Sequence, residues 1–267
     1  PLCLCSLHPQ LTPLYHLLHL SNHVPFFPHD LILLSLPHPL ILIPLFPAIP
    51  TIIPSEKGCF MLIDSGANAE CNSDMLLQFG LMGSVYMQKI MGMSSPRVGL
   101  INIGTEERKG LDVHRETYHK LQNAPVNFIG NVEARGLPLG ECDVAVCDGF
   151  TGNVVLKLIE GMAKFFSHML KDMLLRSTKT KIAALLLKDG VQEFKSKIDA
   201  SAYGGAPLLG ISKMVIKAHG NSDARAIKNA IRQAKECIEN GVIEAIADNL
   251  SQLKEQAKEQ EEAHHNS

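Results

Sequence analysis

The sequence predicts an α/β protein with a mostly parallel sheet and helices on the faces of that sheet. From about residue 57 onward, short apolar runs alternate with segments in which apolar residues recur at helical spacing. The apolar runs end in Gly, Asp or Asn, which are residues that close a strand. This alternation is typical of parallel strands joined by crossover helices.

Each predicted element corresponds to one of these segments. In chain order, the predicted strands are GCFMLID, RVGLINIG, VNFIG, DVAVCDG and MVIKAHG. The predicted helices are SDMLLQFGLMGSVYMQKIM, VHRETYHKLQN, a long helix from Asn153 to about Leu175, a second from about Lys181 to Ile198, and one C-terminal helix. The run YGGAP at residues 203–207 predicts a turn by its composition.

Composition divides the chain into three parts. Residues 1–46 form a leader rich in Pro, Leu and His, and Asp30 is the one charged side chain before Glu56. Residues 47–252 carry the α/β pattern. Residues 253–267 are mostly charged or polar, which predicts a fraying helix followed by a disordered tail.

Three structural classes are excluded for the leader. Prolines interrupt every stretch that would be long enough for a membrane-spanning helix. The leader has no Lys or Arg for the basic region of a secretory signal, and no helix or strand periodicity persists in it. We therefore expect that residues 1–46 are not a natural folding unit, as a wrong reading frame or a mis-joined gene would produce. An unusual apolar leader is the alternative.

The totals exclude several function classes. A net charge of −2 argues against a general nucleic-acid binder, which needs a basic surface. The seven cysteines are odd in number and include no CxxC pair, which favours reduced thiols in a cytosolic protein over disulfides or a zinc site. GxGxxG, GxxxxGK[ST] and GxSxG are all missing, so no standard nucleotide loop or nucleophile elbow is predicted.

Polar loops follow four of the predicted strands. They are DSGAN at residues 64–68, TEERKG at 105–110, NVEAR at 131–135 and DGFTGN at 148–153. Because the carboxyl ends of parallel strands meet at one edge of a sheet, these loops predict a polar-ligand site there.

The last of these loops lies in the stretch CDGFTGNVVLK, a tight turn from a strand into a helix. Two glycines would leave backbone N–H groups open at the helix N-terminus, and such groups bind anions. An ordinary capped turn is the alternative, with Thr151 and Asn153 as helix-start residues.

Two side chains stand out in the loops. The ammonium group of Lys109 is a compact charge suited to a phosphate or to a developing oxyanion. The alternative is a solvated loop in which Lys109 pairs with Glu106 or Glu107. His219 follows a strand and precedes a helix, where a structural role is favoured over that of a general base.

Five segments occur together with DSGAN in the order found in one protein family. They are MGSVYMQKIMGMSSPRVGLINIGTEERKG, NFIGNVEARG, CDGFTGNVVLK, YGGAPLLG and IKAHGNSDARAIKNAIRQA. From about Pro47 to about Ala247 the chain resembles the bacterial phosphate acyltransferases of phospholipid synthesis, the PlsX family. The resemblance implies a Rossmann-like fold and a cytoplasmic homodimer without a metal or nucleotide cofactor.

The resemblance also implies a reaction and its residues. An acyl chain would pass from acyl carrier protein to inorganic phosphate, and the acyl phosphate would serve a downstream glycerol-3-phosphate acyltransferase. The family's catalytic lysine falls on Lys109, which would bind phosphate and offset charge on the thioester oxygen. The other matching motif positions would line the substrate site, namely Asn68, Asn131, Glu133, Asp148, Thr151, Gly152, Asn153 and His219.

The long helix and its successor predict a protruding hairpin. Between residues 155 and 173 the apolar side chains share one broad face, which predicts a core or dimer face. Farther on, Lys181 precedes Leu185, Leu186 and Leu187, and a basic, leucine-rich helix suits an anionic membrane surface. The resemblance implies peripheral attachment to the inner face of the membrane here. A dimer contact is the alternative, and the bases would also suit acidic acyl carrier protein.

One part of the family's pattern has no counterpart in this chain. An IDAMGGDxxP-like opening strand and a SAGNTGA-like loop are absent, so we expect that the N-terminal strands are missing or replaced. An exposed sheet edge would then leave the chain poorly soluble and weakly active or inactive. The alternatives are an inactive remnant that acts as a dimerisation or lipid-surface module, and a phosphate acetyltransferase that uses coenzyme A thioesters.

Overall fold

The computed structural model describes residues 46–192, 205–218 and 224–265, with side chains described as far as residue 253. The strands are β1 (Thr51–Ser55), β2 (Gly58–Ile63), β3 (Arg97–Asn102), β4 (Asn127–Glu133), β5 (Val144–Val146), β6 (Ala206–Leu208) and β7 (Val215–Lys217). The helices are α1 (Ser73–Lys89), α2 (Asp112–Gln122), the 3₁₀ helix Ala134–Leu139, α3 (Gly149–Leu175), α4 (Thr178–Leu186), α5 (Ala224–Glu239) and α6 (Val242–His265). The predicted leader, apart from Phe46, and His219 lie outside the described residues.

The main sheet has the strand order β1-β2-β5-β3-β4. Strands β2, β5, β3 and β4 are parallel, and β1 joins the edge of β2 in the antiparallel direction. The short β5 lies in the middle, where Val146 is in register with Ile63 on one side and Leu100 on the other. The predicted α/β fold with a mostly parallel sheet is confirmed.

One face of the sheet is covered by α1, and α5 and α6 belong to the same apolar cluster. Every residue of α1 from Leu76 to Met87 is buried. A helix that is enclosed on all sides does not need one apolar stripe, which explains why this segment is apolar around its circumference. Gln233 of α5 donates a buried hydrogen bond to the hydroxyl of Tyr86 at 2.9 Å, which ties the outer helices to α1.

The other face packs a second apolar cluster beneath the 3₁₀ helix and the first turns of α3. Phe60, Leu62 and Ala145 of the sheet lie in this cluster together with Leu137 of the 3₁₀ helix. Val155, Leu156 and Ile159 of α3 pack against it. Helices therefore lie on both faces of the sheet, as predicted.

Several element boundaries differ from the sequence prediction. Helix α3 begins at Gly149, four residues before the predicted start, because the carboxylate of Asp148 caps it. Two C-terminal helices replace the one predicted, since Gly241 adopts φ +61° between them and interrupts the helix. Part of the predicted turn at residues 203–207 is strand, because Ala206 and Pro207 pair with β7.

Two further boundaries concern the hairpin and the C-terminus. Helix α4 ends at Leu186, and after a turn at Leu187 the chain is helical again over residues 188–192; the remainder of the helix predicted to Ile198 lies outside the described residues. The backbone of α6 is helical as far as His265, through most of residues 253–267, for which the sequence predicts a fraying helix followed by a disordered tail. Strand β1 was not predicted, because Pro54 weakens the strand pattern, but an edge strand tolerates proline.

The carboxylate of Asp64 organises the end of β2. Its side chain is fully buried and accepts hydrogen bonds from the backbone N–H groups of Ile49, Gly66, Ala67 and Asn68 at 2.7–3.1 Å. The side-chain amide of Asn68 donates another at 2.9 Å. A buried charge is tolerated when donors surround it in this way, so Asp64 joins the chain before β1 to the loop after β2.

The first turn of α3 packs directly on this loop because it contains two glycines. A Cβ atom at Gly152 would lie 1.9 Å from the backbone oxygen of Asp64 and 3.0 Å from the Sγ atom of Cys147. A Cβ atom at Gly149 would lie 2.5 Å from the backbone oxygen of Asn68. Only glycine fits at such distances, so the two residues fix the position at which α3 leaves the sheet.

An ion pair joins the beginning of β3 to the loop before β5, at the amino ends of these two parallel strands. The guanidinium of Arg97 donates to both carboxylate oxygens of Asp143 at 2.8–3.0 Å and to the carbonyl groups of Gly140 and Glu141. The backbone N–H of Arg97 adds a further bond to Asp143 at 2.8 Å. Burial alone would raise the pKa of Asp143, but the hydrogen bonds and charge of Arg97 outweigh it and hold that pKa below its ordinary value.

We predict that Gly152→Ala destabilises the fold by about 1–3 kcal/mol, because the new methyl group must displace backbone atoms of Asp64. Urea unfolding followed by circular dichroism measures the change. Gly161→Ala is the matched control in the same helix, since a Cβ atom there would contact nothing within 4 Å. The control should be neutral or should stabilise by about 0.5–1 kcal/mol. Equal stability of the two variants would contradict the close contact.

We predict that Asp143→Asn lowers the free energy of unfolding at pH 7 by about 1 kcal/mol. Because the pKa of Asp143 is depressed in the folded state, its contribution is present above the unfolded pKa and is lost as the pH falls through the folded pKa. The wild type should therefore lose more stability than the variant between about pH 5 and pH 2. Urea titrations across this range test it, with Asp172→Asn as an exposed control. Parallel pH profiles for wild type and Asp143→Asn would contradict the prediction.

Candidate active site

Four polar loops lie at one edge of the sheet, as the sequence predicts. Strands β2, β5, β3 and β4 are parallel neighbours in that order, so their carboxyl ends point the same way. The loops after β2, β5 and β3 contain Asn68, Asp148 and Lys109 respectively, and Glu133 is the last residue of β4. This edge is where parallel α/β sheets bind ligands.

Asn68 links the loop after β2 to two neighbouring segments. Its side-chain amide donates to the carbonyl of Pro47 at 2.7 Å and to the carboxylate of Asp64 at 2.9 Å. Its backbone carbonyl accepts from the N–H of Gly149 at 2.6 Å. The backbone of this predicted substrate-binding residue therefore contacts the start of α3, and its side chain joins the segment before β1 to Asp64.

The first turn of α3 contains four of the predicted site residues. The carboxylate of Asp148 accepts from the backbone N–H of Thr151 at 2.7 Å and from its hydroxyl at 2.9 Å. Gly152 is buried against Asp64, whereas Asn153 is exposed. Of the two predictions for this turn, the structure therefore shows the capped helix start.

Lys109 lies in the loop after β3 and is about half exposed. Its Nζ atom is 3.9 Å from a carboxylate oxygen of Glu106, and both side chains are solvated. The predicted alternative of a Lys109–Glu106 pair is thus present in the structure. An exposed pair at that distance contributes little, so an anion can compete for the ammonium group.

Two asparagine side chains hold the backbone on which Lys109 is carried. Asn131 of β4 is only 4 % exposed and donates to the carbonyl of Glu106 at 2.8 Å. Asn102 at the end of β3 donates to the carbonyl of Lys109 at 3.0 Å and accepts from the N–H of Ile103. Asn131 therefore has a structural function here, and within the described ranges its Oδ1 atom is buried without a hydrogen-bond partner.

Glu133, the last residue of β4, forms an ion pair with Arg135 two residues farther along the chain. Its carboxylate accepts two hydrogen bonds from the guanidinium of Arg135, at 2.6 and 3.1 Å. The guanidinium of Arg135 is largely exposed, so this pair is weak.

A cleft of about 590 Å³ opens between the beginnings of α1, α2 and α3. In the described part of the chain it is lined by Ala69, Glu70, Cys71, Leu76, Leu111, Val113, His114, Asp148, Phe150 and Thr151. Of the predicted site residues, Asp148 and Thr151 line this cleft, whereas Lys109 is not among its lining residues and precedes Leu111 by two positions in the chain.

His114 is a site residue that the sequence analysis missed. Its Nδ1 atom accepts a hydrogen bond from the backbone N–H of Leu111 at 3.3 Å. Burial lowers the pKa of His114, although the charge of Asp148 acts in the opposite direction. The imidazole is therefore neutral at pH 7 and carries its proton on Nε2. Its place in the first turn of a helix, directly after the Lys109 loop, was the one available signal.

The thiols near the site are poor nucleophiles. Burial raises the pKa of the Cys71 thiol to about 12, with a further contribution from the charge of Asp64. Cys147 is fully buried beneath Asp64, and burial raises the pKa of its thiol well above the ordinary value. A thiol reacts as its thiolate, so neither cysteine is suited to covalent catalysis at neutral pH.

The hairpin formed by α3 and α4 carries apolar side chains that the described part of the chain leaves exposed. On α3, Leu158, Phe165, Met169 and Met173 are between 53 and 64 % exposed, so they do not form a core within these residues. The predicted membrane-surface residues lie on or directly after α4 and are exposed as well, namely Lys181, Leu185, Leu186 and Leu187.

Two kinds of feature are absent from the described ranges. No group of three or more His, Cys, Asp or Glu side chains there is arranged to hold a metal ion. No helix in the described ranges is both long enough and apolar enough to cross a membrane.

The chain is similar in sequence to proteins named phosphate acyltransferase. One from Alkaliphilus oremlandii is 51 % identical over 207 residues, which cover 78 % of this chain and 62 % of the relative. One from Clostridium botulinum (strain Loch Maree) is 50 % identical over 202 residues, which cover 76 % of this chain and 60 % of the relative. The chain thus spans about 60 % of the length of these relatives.

The solved structures that resemble the fold are more distant. A phosphotransacetylase from Streptococcus pyogenes has a TM-score of 0.47 and 17 % identity, over 73 % of this chain and 54 % of that one. A branched-chain phosphotransacylase from Enterococcus faecalis V583 has a TM-score of 0.46 and 13 % identity, over 72 % and 65 % of the two chains. The sequence pattern of the family described as "Fatty acid synthesis protein" matches residues 43–245, which is most of the chain. The chain belongs to this family.

Proposed function

We propose that this chain carries the site of an acyltransferase that moves a long acyl chain from acyl carrier protein to inorganic phosphate. The product would be an acyl phosphate for phospholipid synthesis. Family membership and about 50 % identity to proteins named phosphate acyltransferase support acyl transfer to phosphate. Acyl carrier protein as the donor is proposed from the family resemblance of the sequence.

The position of Lys109 is the observation that carries this proposal. The lysine lies at the ligand-binding edge of the sheet, on a loop that the buried amide of Asn131 and the amide of Asn102 hold in place. An ammonium group on an anchored loop can bind the phosphate and can also stabilise negative charge on the thioester oxygen. Charge that is directed at the reacting oxygen in this way lowers the barrier.

The reaction follows from these groups without a protein nucleophile. A phosphate oxygen attacks the thioester carbonyl carbon, so that a C–O bond forms and the C–S bond breaks. The carrier thiolate leaves with the electron pair and takes a proton from the hydrogen phosphate. The depressed reactivity of Cys71 and Cys147 supports direct attack by phosphate, in which positioning and electrostatics supply the rate.

The other predicted residues have supporting roles in this proposal. Asn68, Asp148 and Gly152 hold the first turn of α3 against the sheet, and Thr151 lines the cleft with Asp148. We propose that Asn131 positions the Lys109 loop, and that Glu133 and Asn153 line the substrate site at its border. His219 completes the set of proposed site residues from outside the described residues.

The exposed hairpin suggests where the enzyme works. We propose that α4 lies on the inner face of the membrane, with Leu185 and Leu186 in the lipid and Lys181 near anionic headgroups. Delivery of acyl phosphate to a glycerol-3-phosphate acyltransferase would then occur at that surface. The apolar face of α3 would be covered by the second subunit of a homodimer.

We predict that Lys109→Ala lowers the rate of acyl transfer by a factor on the order of 10²–10³, because the ammonium group stabilises charge in the transition state. The assay measures phosphate-dependent release of carrier protein from palmitoyl-acyl carrier protein. Lys235→Ala, on the remote helix α5, is the matched control and should retain full turnover.

Three results would contradict the acyltransferase proposal or redirect it. Equal turnover by Lys109→Ala and wild type would remove the lysine from the mechanism. Phosphorolysis of acetyl-coenzyme A in preference to the palmitoyl substrate would favour a phosphate acetyltransferase. A folded chain without turnover would favour an inactive remnant, for which the reduced length relative to the family members is the supporting observation.

We predict that Leu186→Ser weakens binding to vesicles of mixed phosphatidylglycerol and phosphatidylcholine several-fold, since the side chain of Leu186 is 83 % exposed at the end of α4. Co-sedimentation measures the bound fraction. Ile238→Ser, at an exposed position of α5, is the control for a lost apolar group. Equal loss in both variants, or equal binding to pure phosphatidylcholine, would contradict a basic, leucine-rich membrane contact.

A further inference from the structure

The charge of the cleft between α1, α2 and α3 is unsuited to a free anion. Among the described residues that line it, Glu70 and Asp148 are acidic, and there is no Lys or Arg. His114 is the remaining basic side chain, and burial lowers its pKa so that it is neutral at pH 7. A phosphate ion would meet no positively charged side chain in this lining, whereas Lys109 precedes Leu111 of the lining by two residues in the chain.

The size and the apolar character of the cleft also differ from what phosphate needs. Its volume of about 590 Å³ falls within the range of about 300–1,000 Å³ that is typical of sites for organic ligands. Leu76 and Val113 line its wall, and Leu111 and Phe150 stand beside it at 69 and 68 % exposure. Large apolar side chains left this exposed beside a polar site indicate an apolar ligand.

We infer that this cleft binds the acyl chain of the thioester substrate, with its methylene groups against Leu111 and Phe150. The thioester carbonyl lies at the end nearest to Lys109, which precedes Leu111 by two residues. Phosphate then approaches from the Lys109 side, and the two substrates enter by different routes. This inference rests on the proposed acyl transfer and adds the subsite that selects the chain.

The hairpin offers a competing apolar surface. The exposed face of α3 continues from Phe150 through Val154 and Leu158 along the helix. An acyl chain bound there would depend on the hairpin and would not depend on Leu111, which belongs to the start of α2. Variants of Leu111 therefore distinguish the cleft from the hairpin.

The first test measures binding of cis-parinaric acid, a long-chain fatty acid whose fluorescence rises in an apolar environment, to the full chain. Leu111→Ala and Phe150→Ala should each raise the Kd about five- to tenfold, because each removes apolar contact area. Ile238→Ala should leave the Kd unchanged. Thermal unfolding should be the same in all three variants, since each of these side chains is more than half exposed.

Two outcomes of the binding test would overturn the inference. An unchanged Kd in both cleft variants would show that the chain binds elsewhere. A Kd raised by Phe150→Ala and left unchanged by Leu111→Ala would assign the chain to the exposed face of α3. Neither result depends on turnover, so both can be separated from a failure of the proposed reaction.

The second test uses acyl carrier protein loaded with a long or a short acyl chain. Leu111→Ala should lower kcat/KM about tenfold for the long chain and much less for the short one, with the KM for phosphate unchanged. An equal loss for both chain lengths would overturn the inference. If the wild type shows no turnover, the proposed function fails, and the binding test alone decides whether the cleft takes an acyl chain.

Discussion

The buried carboxylate of Asp64 is the interaction on which the rest of the site depends. Four backbone N–H groups and one side-chain amide converge on it, from the segment before β1 and from the loop after β2. The backbone of the same residue contacts Gly152, so the start of α3 is fitted to the shape that the carboxylate imposes. Loss of the charge would leave several buried donors without an acceptor and would release the loop and the helix together.

This arrangement divides the two tasks of the site between different loops. The carboxylate of Asp148 accepts a hydrogen bond from the backbone N–H of Thr151, so this donor in the first turn of α3 is used by the helix cap. A cation is supplied instead by Lys109, on a loop that Asn102 and Asn131 fasten to the ends of β3 and β4. The start of α3 therefore gives the site its shape, and the loop after β3 provides its positive charge.

The sequence predicts strands β2, β3, β4, β5 and β7 and the α1–α3 helices, because burial sets their apolar patterns, but it does not predict β1 or β6. It also does not indicate side chains whose roles come from hydrogen bonds to the backbone of a neighbouring loop. Asn102 looks like a residue that ends a strand, and His114 looks like an ordinary residue of a polar helix, yet Asn102 donates to the carbonyl of Lys109 and His114 accepts from the N–H of Leu111. Sequence also cannot separate a core face from a face awaiting a partner, since Phe165 and Met169 have core-like spacing but are exposed.

The geometry explains why neither the first turn of α3 nor a cysteine needs to act as the catalyst. Cys147 is placed beneath Asp64, where desolvation and two neighbouring carboxylates keep its thiol protonated. With neither thiol available as a nucleophile, the proposed reaction would be accelerated by holding two substrates in contact, and effective molarity can supply about 7–11 kcal/mol of such a barrier. That proposal requires separate subsites with fixed orientation for the phosphate and the acyl chain. The apolar, weakly acidic lining of the cleft would disfavour phosphate, and the charged loop that carries Lys109 would disfavour the acyl chain, so each substrate would be kept from the other's position.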